Sequence, residues 1–177
     1  MRYLNLFILL FPLSADADWK EKTLDVVLFA SGVVVSFVVH EVSHELTARA
    51  YGEKLDWELN GFATKSYCRS PCEHIDKIAI AGNLSTAILG ESLMYLPAKY
   101  KYTPFVDGMQ AYNVENPIGY AYRDSITPGG YGDYRYVDDR AQIALAIHAA
   151  SIGYRQFSKR FWSVVVVPRG LQFNVRF

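Results

Sequence analysis

His40 and His44 stand four residues apart with Glu41 beside the first, in the run His40-Glu41-Val42-Ser43-His44. On a helix, residues i and i+4 share one face about 6 Å apart along the axis, close enough for both imidazoles to hold one Zn²⁺. Glu41 then falls beside the metal rather than on it. From there a carboxylate can take a proton from activated water and pass it to a leaving amine. This is the HExxH pattern with its mechanism. Two histidines that merely hydrogen-bond their neighbours on a buried helix face would be spelled the same way, and it is the helical setting that argues for a metal.

That setting is a long predicted helix over residues 29–52. Residues 24–39 are apolar apart from Asp25, Ser31, Gly32 and Ser36, and they run straight into the histidines. A helix apolar on every face must be surrounded by protein or by lipid, and a chain of 177 residues has little protein to surround it with. Gly52 is placed to stop the helix. The period then changes to two: Leu55, Trp57 and Leu59 alternate with polar residues, and Asn60-Gly61 predicts a hairpin turn into residues 62–67. A hairpin edge can accept an extended peptide as an added strand, although a solvent-covered hairpin would read the same. Cys68 and Cys72, the only cysteines, flank Arg-Ser-Pro and predict a small disulfide-closed loop, with His74 expected at the surface just after it.

A second helix is predicted over residues 75–96, where Ala79, Gly82, Ser85, Thr86 and Gly90 would let another backbone approach closely. Pro97 ends it. A third is predicted over about 136–157, with His148 expected as a core histidine. Residues 161–167 and 171–177 then read as a strand pair around Pro168-Arg169-Gly170, packed on the helices. At the other end, Arg2, the apolar run 4–13 and Ala15-Asp16-Ala17 have the form of a secretory signal over residues 1–17, leaving 18–177 as a single domain. Eighteen basic and eighteen acidic residues balance, and no basic stripe appears, which points away from nucleic acid. Aromatics make up 15% of the chain, with 13 tyrosines, a composition that suits a membrane–water boundary or a tyrosine-rich soluble surface.

The HExxH helix, the run Thr47-Ala48-Arg49-Ala50-Tyr51-Gly52, the short hairpin and Ile80-Ala81-Gly82-Asn83-Leu84-Ser85-Thr86 together resemble the core of the site-2-protease-like (M50) zinc metallopeptidases. The resemblance covers residues 29–97. In that family the second helix carries Ala-Gly-Pro-x-x-Asn, where this chain has Asn83 in place of the proline and Thr86 in place of the asparagine. The resemblance implies an aspartate as third metal ligand, following an Asn-Pro stretch and opening a further helix. Asn116-Pro117 and then Asp133, at a glycine-rich turn, fit that order. Glu91, Asp107 (in Val106-Asp107-Gly108), Asp138 and Asp139 are the alternatives, and a helix cap or turn would account for Asp133 and Asp138 equally well.

The expected protein is mainly α with small hairpins: a compact bundle of about three long apolar helices, one carrying HExxH, with one hairpin after the metal helix and another at the C-terminus. The expected function is that of an exported zinc metallopeptidase of the inner membrane or periplasm. His40, His44 and Asp133 would hold Zn²⁺, Glu41 would be the general base, and a peptide or protein would be the substrate. Two rivals remain at this point. One is a non-catalytic membrane or periplasmic interaction protein on the same scaffold, and the other a soluble secreted endopeptidase ligated through Glu91.

Overall fold

The computed structural model describes residues 19–60, 63–128, 132–161, 163–167 and 170–174. The expected signal segment, residues 1–17, lies outside them. Helix α1, Trp19–Ala50, is 32 residues long, or about 48 Å. It ends as its glycine requires. Gly52 has φ 74°, its N–H reaches the Arg49 carbonyl at 3.0 Å, and the Glu53 N–H reaches that of Ala48 at 2.9 Å, so the last turn's free carbonyls are met by a left-handed cap.

Strands β1, Leu55–Asn60, and β2, Ala63–Cys68, pair antiparallel with Leu55 opposite Cys68 and Asn60 opposite Ala63. This register puts the connection at residues 61 and 62, one residue later than the Asn60-Gly61 turn expected. Cys68 and Cys72 form the expected disulfide. With Ala48, Leu55 and Ile78 they make a small apolar cluster that fixes the hairpin to the end of α1. Helix α2, Ile75–Met94, follows.

The bundle expected from the sequence has about three long helices, but four are present among the described residues. After the one-turn α3, Ala98–Lys101, comes α4, Pro104–Ile126, a helix that the pattern of apolar residues does not predict. Its start obeys simple rules: Pro104 opens the helix, and the Thr103 hydroxyl accepts from the Val106 N–H at 3.4 Å. Its interior does not, because Pro117 lies inside it and its buried face carries Gln110 and Asn113. A 3-10 turn, Gly132–Tyr136, leads to α5, Asp139–Phe161, where the Asp138 carboxylate accepts from the Arg140 N–H at 2.9 Å. Strands β3, Ser163–Val167, and β4, Gly170–Asn174, pair with each other.

Helix α4 packs against α1, α2 and α5, and α1 also packs against α2. Helices α1 and α4 run parallel and nearly touch. A Cβ added at Gly32 would lie 2.0 Å from the Phe105 carbonyl oxygen, and one at Gly108 would lie 2.0 Å from that of Phe29. Two glycines thus set the distance between these helices, the packing expected of small residues in membrane bundles. Helix α2 is antiparallel to α4, with Asn83 beside Asn116 and Gly90 beside Gln110.

Polarity is distributed against the usual pattern of a water-soluble domain. Ser36, Asn83, Thr86, Gln110, Asn113 and Gln156 are fully buried, whereas Val27, Val34, Val38, Val42 and Leu46 form an exposed stripe along α1. Exposed apolar residues also recur at helical spacing on α2 (Leu84, Ile88), α4 (Ile118, Tyr122, Ile126) and α5 (Ile143, Ile147, Tyr154). Residues 20–50 are long and apolar enough to cross a membrane.

Candidate metal centre

The two histidines of α1 face inward and are 1% and 2% exposed. Each ring is fixed by its far nitrogen. His44 Nδ1 donates to the Ile78 carbonyl at 2.6 Å, which leaves Nε2 with a lone pair pointing into the site. His40 Nδ1 lies 3.3 Å from Asn116 Nδ2, which itself donates to the Asn83 side-chain Oδ1 at 3.0 Å; to ligate a metal through Nε2, His40 would carry its proton on Nδ1 and donate to Asn116 Oδ1 with that amide turned over. Tyr112 packs its ring against the edge of His40. Helices α2 and α4 thus hold the imidazoles that α1 supplies.

The third member comes from the 3-10 turn. Asp133 Oδ2 lies 3.3 Å from Nε2 of His40 and 3.3 Å from Nε2 of His44, and the two Nε2 atoms are 3.1 Å apart. Three ligands on a tetrahedral zinc, at bonds of 2.0–2.1 Å, stand about 3.3 Å from one another. The triangle therefore has the dimensions the ion needs, with two neutral nitrogens and one carboxylate as donors, a set suited to a zinc that keeps a fourth position open. Burial alone would raise the Asp133 carboxyl. When the two imidazoles are protonated instead of metal-bound, their hydrogen bonds to Asp133 and their charge outweigh burial and hold it well below the usual carboxylate range.

Gly82 makes room for the triangle. A Cβ there would fall 2.5 Å from His44 Nε2 and 2.6 Å from His40 Nε2, so only glycine lets α2 pass this close to both donor atoms. The turn that carries Asp133 is secured from behind. Tyr134 is 1% exposed and packs on Ala79 and Val137, while Gln142 donates to the carbonyls of Tyr134 at 2.7 Å and Val137 at 2.8 Å. Glu41 is half-buried and has no hydrogen-bond partner among the described residues. It lies close enough to act electrostatically on both His44 and Tyr112.

The structure brings together Asp133 and the two histidines and places the other acids elsewhere. Glu91 is paired with Arg155, Nη1 to Oε1 at 3.0 Å, with a second contact from Nη2 to Oε2. Asp107 accepts from Gln156 at 2.9 Å, Asp138 caps α5, and Asp139 lies in the first turn of α5. His148 is not buried; it stands half-exposed, 3.8 Å from Glu91. His74 lies at the surface as expected, half-exposed, stacked on Tyr51 and bonded to Glu53 at 3.0 Å. Glu53, Cys68 and Cys72 also lie together, but the disulfide occupies both sulfurs.

Sequence reasoning missed Asn116 as the partner of His40, Gln142 as the latch of the turn, and Ile78 as the acceptor for His44. Gly82 carried a signal, since it stood in the small-residue stretch of α2, but as a helix-packing residue rather than the floor of a metal site. Compared with family models, curated proteins and solved structures, the chain matches none.

Proposed function

We propose that this chain is a membrane-embedded zinc metallopeptidase whose metal is held by His40, His44 and Asp133, with Glu41 as general base. The observation that carries the reading is the triangle of donor atoms, 3.1 to 3.3 Å on each side, assembled from a helix and a turn 89 residues further along the chain. The resemblance of the HExxH helix and its following segments to site-2-protease-like peptidases supports the same reaction. When bound, zinc supplies a Lewis acid that activates water and polarises a scissile carbonyl. The protein does the rest: Ile78 and Asn116 fix the rings, Asp133 offsets positive charge, and Glu41 removes a proton from water and delivers it to the leaving nitrogen.

The membrane enters the proposal through the outer surface. Four helices turn apolar stripes outward over an interior of amides and hydroxyls, an arrangement that lipid satisfies and water does not. Among the described residues, helix α1 alone has the length and hydropathy of a span. The location we propose is an inner membrane, for which this surface and the signal-like sequence of residues 1–17 are the support. The substrate would be a peptide segment held in extended form beside β1–β2, which the Ala48–Leu55–Ile78 cluster ties to the metal-bearing end of α1.

The test is hydrolysis of a mixed peptide library by the zinc-loaded protein in detergent or liposomes, alongside Glu41→Gln. The wild type should cleave, and Glu41→Gln should keep its zinc while losing about 10²–10⁴-fold in rate, the usual worth of a positioned base. Cleavage that survives Glu41→Gln, or none at all from the zinc-loaded wild type, would contradict the proposal.

A further inference from the structure

Between the metal and the α3 end of the bundle lies a group of buried amides that the proposed reaction does not use. Gln110, Asn113 and Gln156 are each 0% exposed. Gln110 donates through Nε2 to the Gly90 carbonyl at 2.8 Å, and Gln156 donates through Nε2 to the Lys101 carbonyl at 3.0 Å and to Asp107 at 2.9 Å. These bonds fix which way both amides are turned, and they leave Gln110 Oε1 and Gln156 Oε1 without donors. Asn113 is more extreme. Among the described residues, neither its Oδ1 nor its Nδ2 has a partner.

Buried polar atoms are nearly always satisfied, and four orphans on three buried side chains, two of them side by side at Gly90, are too many to leave dry in one small interior. Their chemistry selects the missing partner. A cation could meet the amide oxygens but not Asn113 Nδ2, which needs an acceptor. Whichever way Asn113 is turned, it needs a partner that both donates and accepts, and water does both.

The placement gives direction. Gln110, Asn113 and Asn116 are spaced i, i+3, i+6 on α4, about 4.5 Å apart per step. Asn113 faces Gly90, from which the buried Thr86 and Asn83 lead along α2 toward the metal, and Asn83 and Asn116 meet at His40. At the other end, Gln156 bonds to Lys101, whose residue lines an open cleft of about 870 Å³ with Tyr102, Gly153 and Phe157.

We infer that the amides of Gln156, Gln110 and Asn113 hold a file of internal water running from the cleft beside α3 to the asparagine pair behind His40. Its use, to bring water to a hydrolytic site through an otherwise apolar envelope, rests on the metallopeptidase reading. Its existence does not.

The experiment uses the full-length protein in micelles. Nuclear Overhauser spectra should show contacts between water and the Asn113 side-chain amide protons, and these protons should exchange with D₂O within minutes. Gln156→Leu, at the mouth, should slow that exchange at least tenfold. Asn113→Leu removes no hydrogen bond to protein, so it should lower the thermal midpoint if water is bound there and raise it if the site is dry. Absence of water contacts at Asn113, together with a raised midpoint in Asn113→Leu, would overturn the inference. Exchange unchanged by Gln156→Leu would overturn the route from the cleft. A protein that binds no zinc yet shows the water contacts would refute the peptidase reading and leave the water file standing.

Discussion

Two adjacent parts of the interior treat buried polarity in opposite ways. Around His40 and His44 every ring nitrogen has a neighbour of fixed identity: Ile78, Asn116 or Asp133. Within two turns of Asn116 toward α3, four amide atoms of Gln110 and Asn113 on α4 and Gln156 on α5 have none among the described residues. On the proposed readings the difference separates two kinds of occupant, a metal ion and water. A metal ion demands donors held in place before it arrives, whereas water adapts to donors and acceptors that are merely present.

The first way to break the contrast is to spoil the rigid half. Gly82→Ala places a methyl group against both donor nitrogens, whose rings are locked and cannot yield. Zinc binding should be abolished and the fold should lose about 1–3 kcal/mol by overpacking, read by metal analysis and thermal unfolding. Zinc bound at wild-type level would show that the donors do not converge beside Gly82.

A smaller effect should follow from loosening one ring. Asn116→Ala removes the group beside His40 Nδ1 while leaving all three donors, and zinc affinity measured by chelator competition should fall about 10–100-fold. The fold should survive it. A change confined to thermal stability, with affinity intact, would reduce Asn116 to a packing residue.

The smallest effect sharpens the contrast with the outside of the molecule. On the hairpin, hydrogen bonding from Arg69 holds the Asp56 carboxyl below its usual range. A depressed carboxyl stabilises the fold above its unfolded pKa, and that contribution is lost as pH falls through the folded value. The pair lies at the surface, Arg69 exposed and Asp56 partly so, and solvent screens it, so Asp56→Asn should flatten the acid limb of the stability profile only slightly and leave zinc content unchanged. Loss of zinc in this variant would tie the hairpin to the metal centre.

The two halves also differed in how far they could be read before folding. The metal helix was legible because its signals are local: histidines at i and i+4, an apolar run before them and Gly52 after them. The disulfide, too, followed from two cysteines four residues apart. Asp133 came within reach through order along the chain, but its convergence on His40 and His44 is a tertiary fact that no local pattern encodes. Helix α4 was missed for a physical reason. Its inner face is amide-rich and carries Pro117, so the periodicity that marks a helix by apolar residues is inverted there. Helix α5 was expected near Tyr136 and begins at Asp139, because residues 132–136 form the tight turn that aims Asp133. His148 was expected in the core on the strength of its apolar neighbours, yet it lies on the partly exposed side of α5 next to Glu91.

The most direct test of the account is the amount of zinc bound per chain in the purified wild type, in Asp133→Ala and in Glu91→Ala. The account predicts close to one zinc in the wild type, none retained in Asp133→Ala, and an undiminished value in Glu91→Ala, whose carboxylate belongs to Arg155. A wild type that takes up no zinc after reconstitution, or an Asp133→Ala variant that keeps it, would contradict the metal centre on which the proposed chemistry depends.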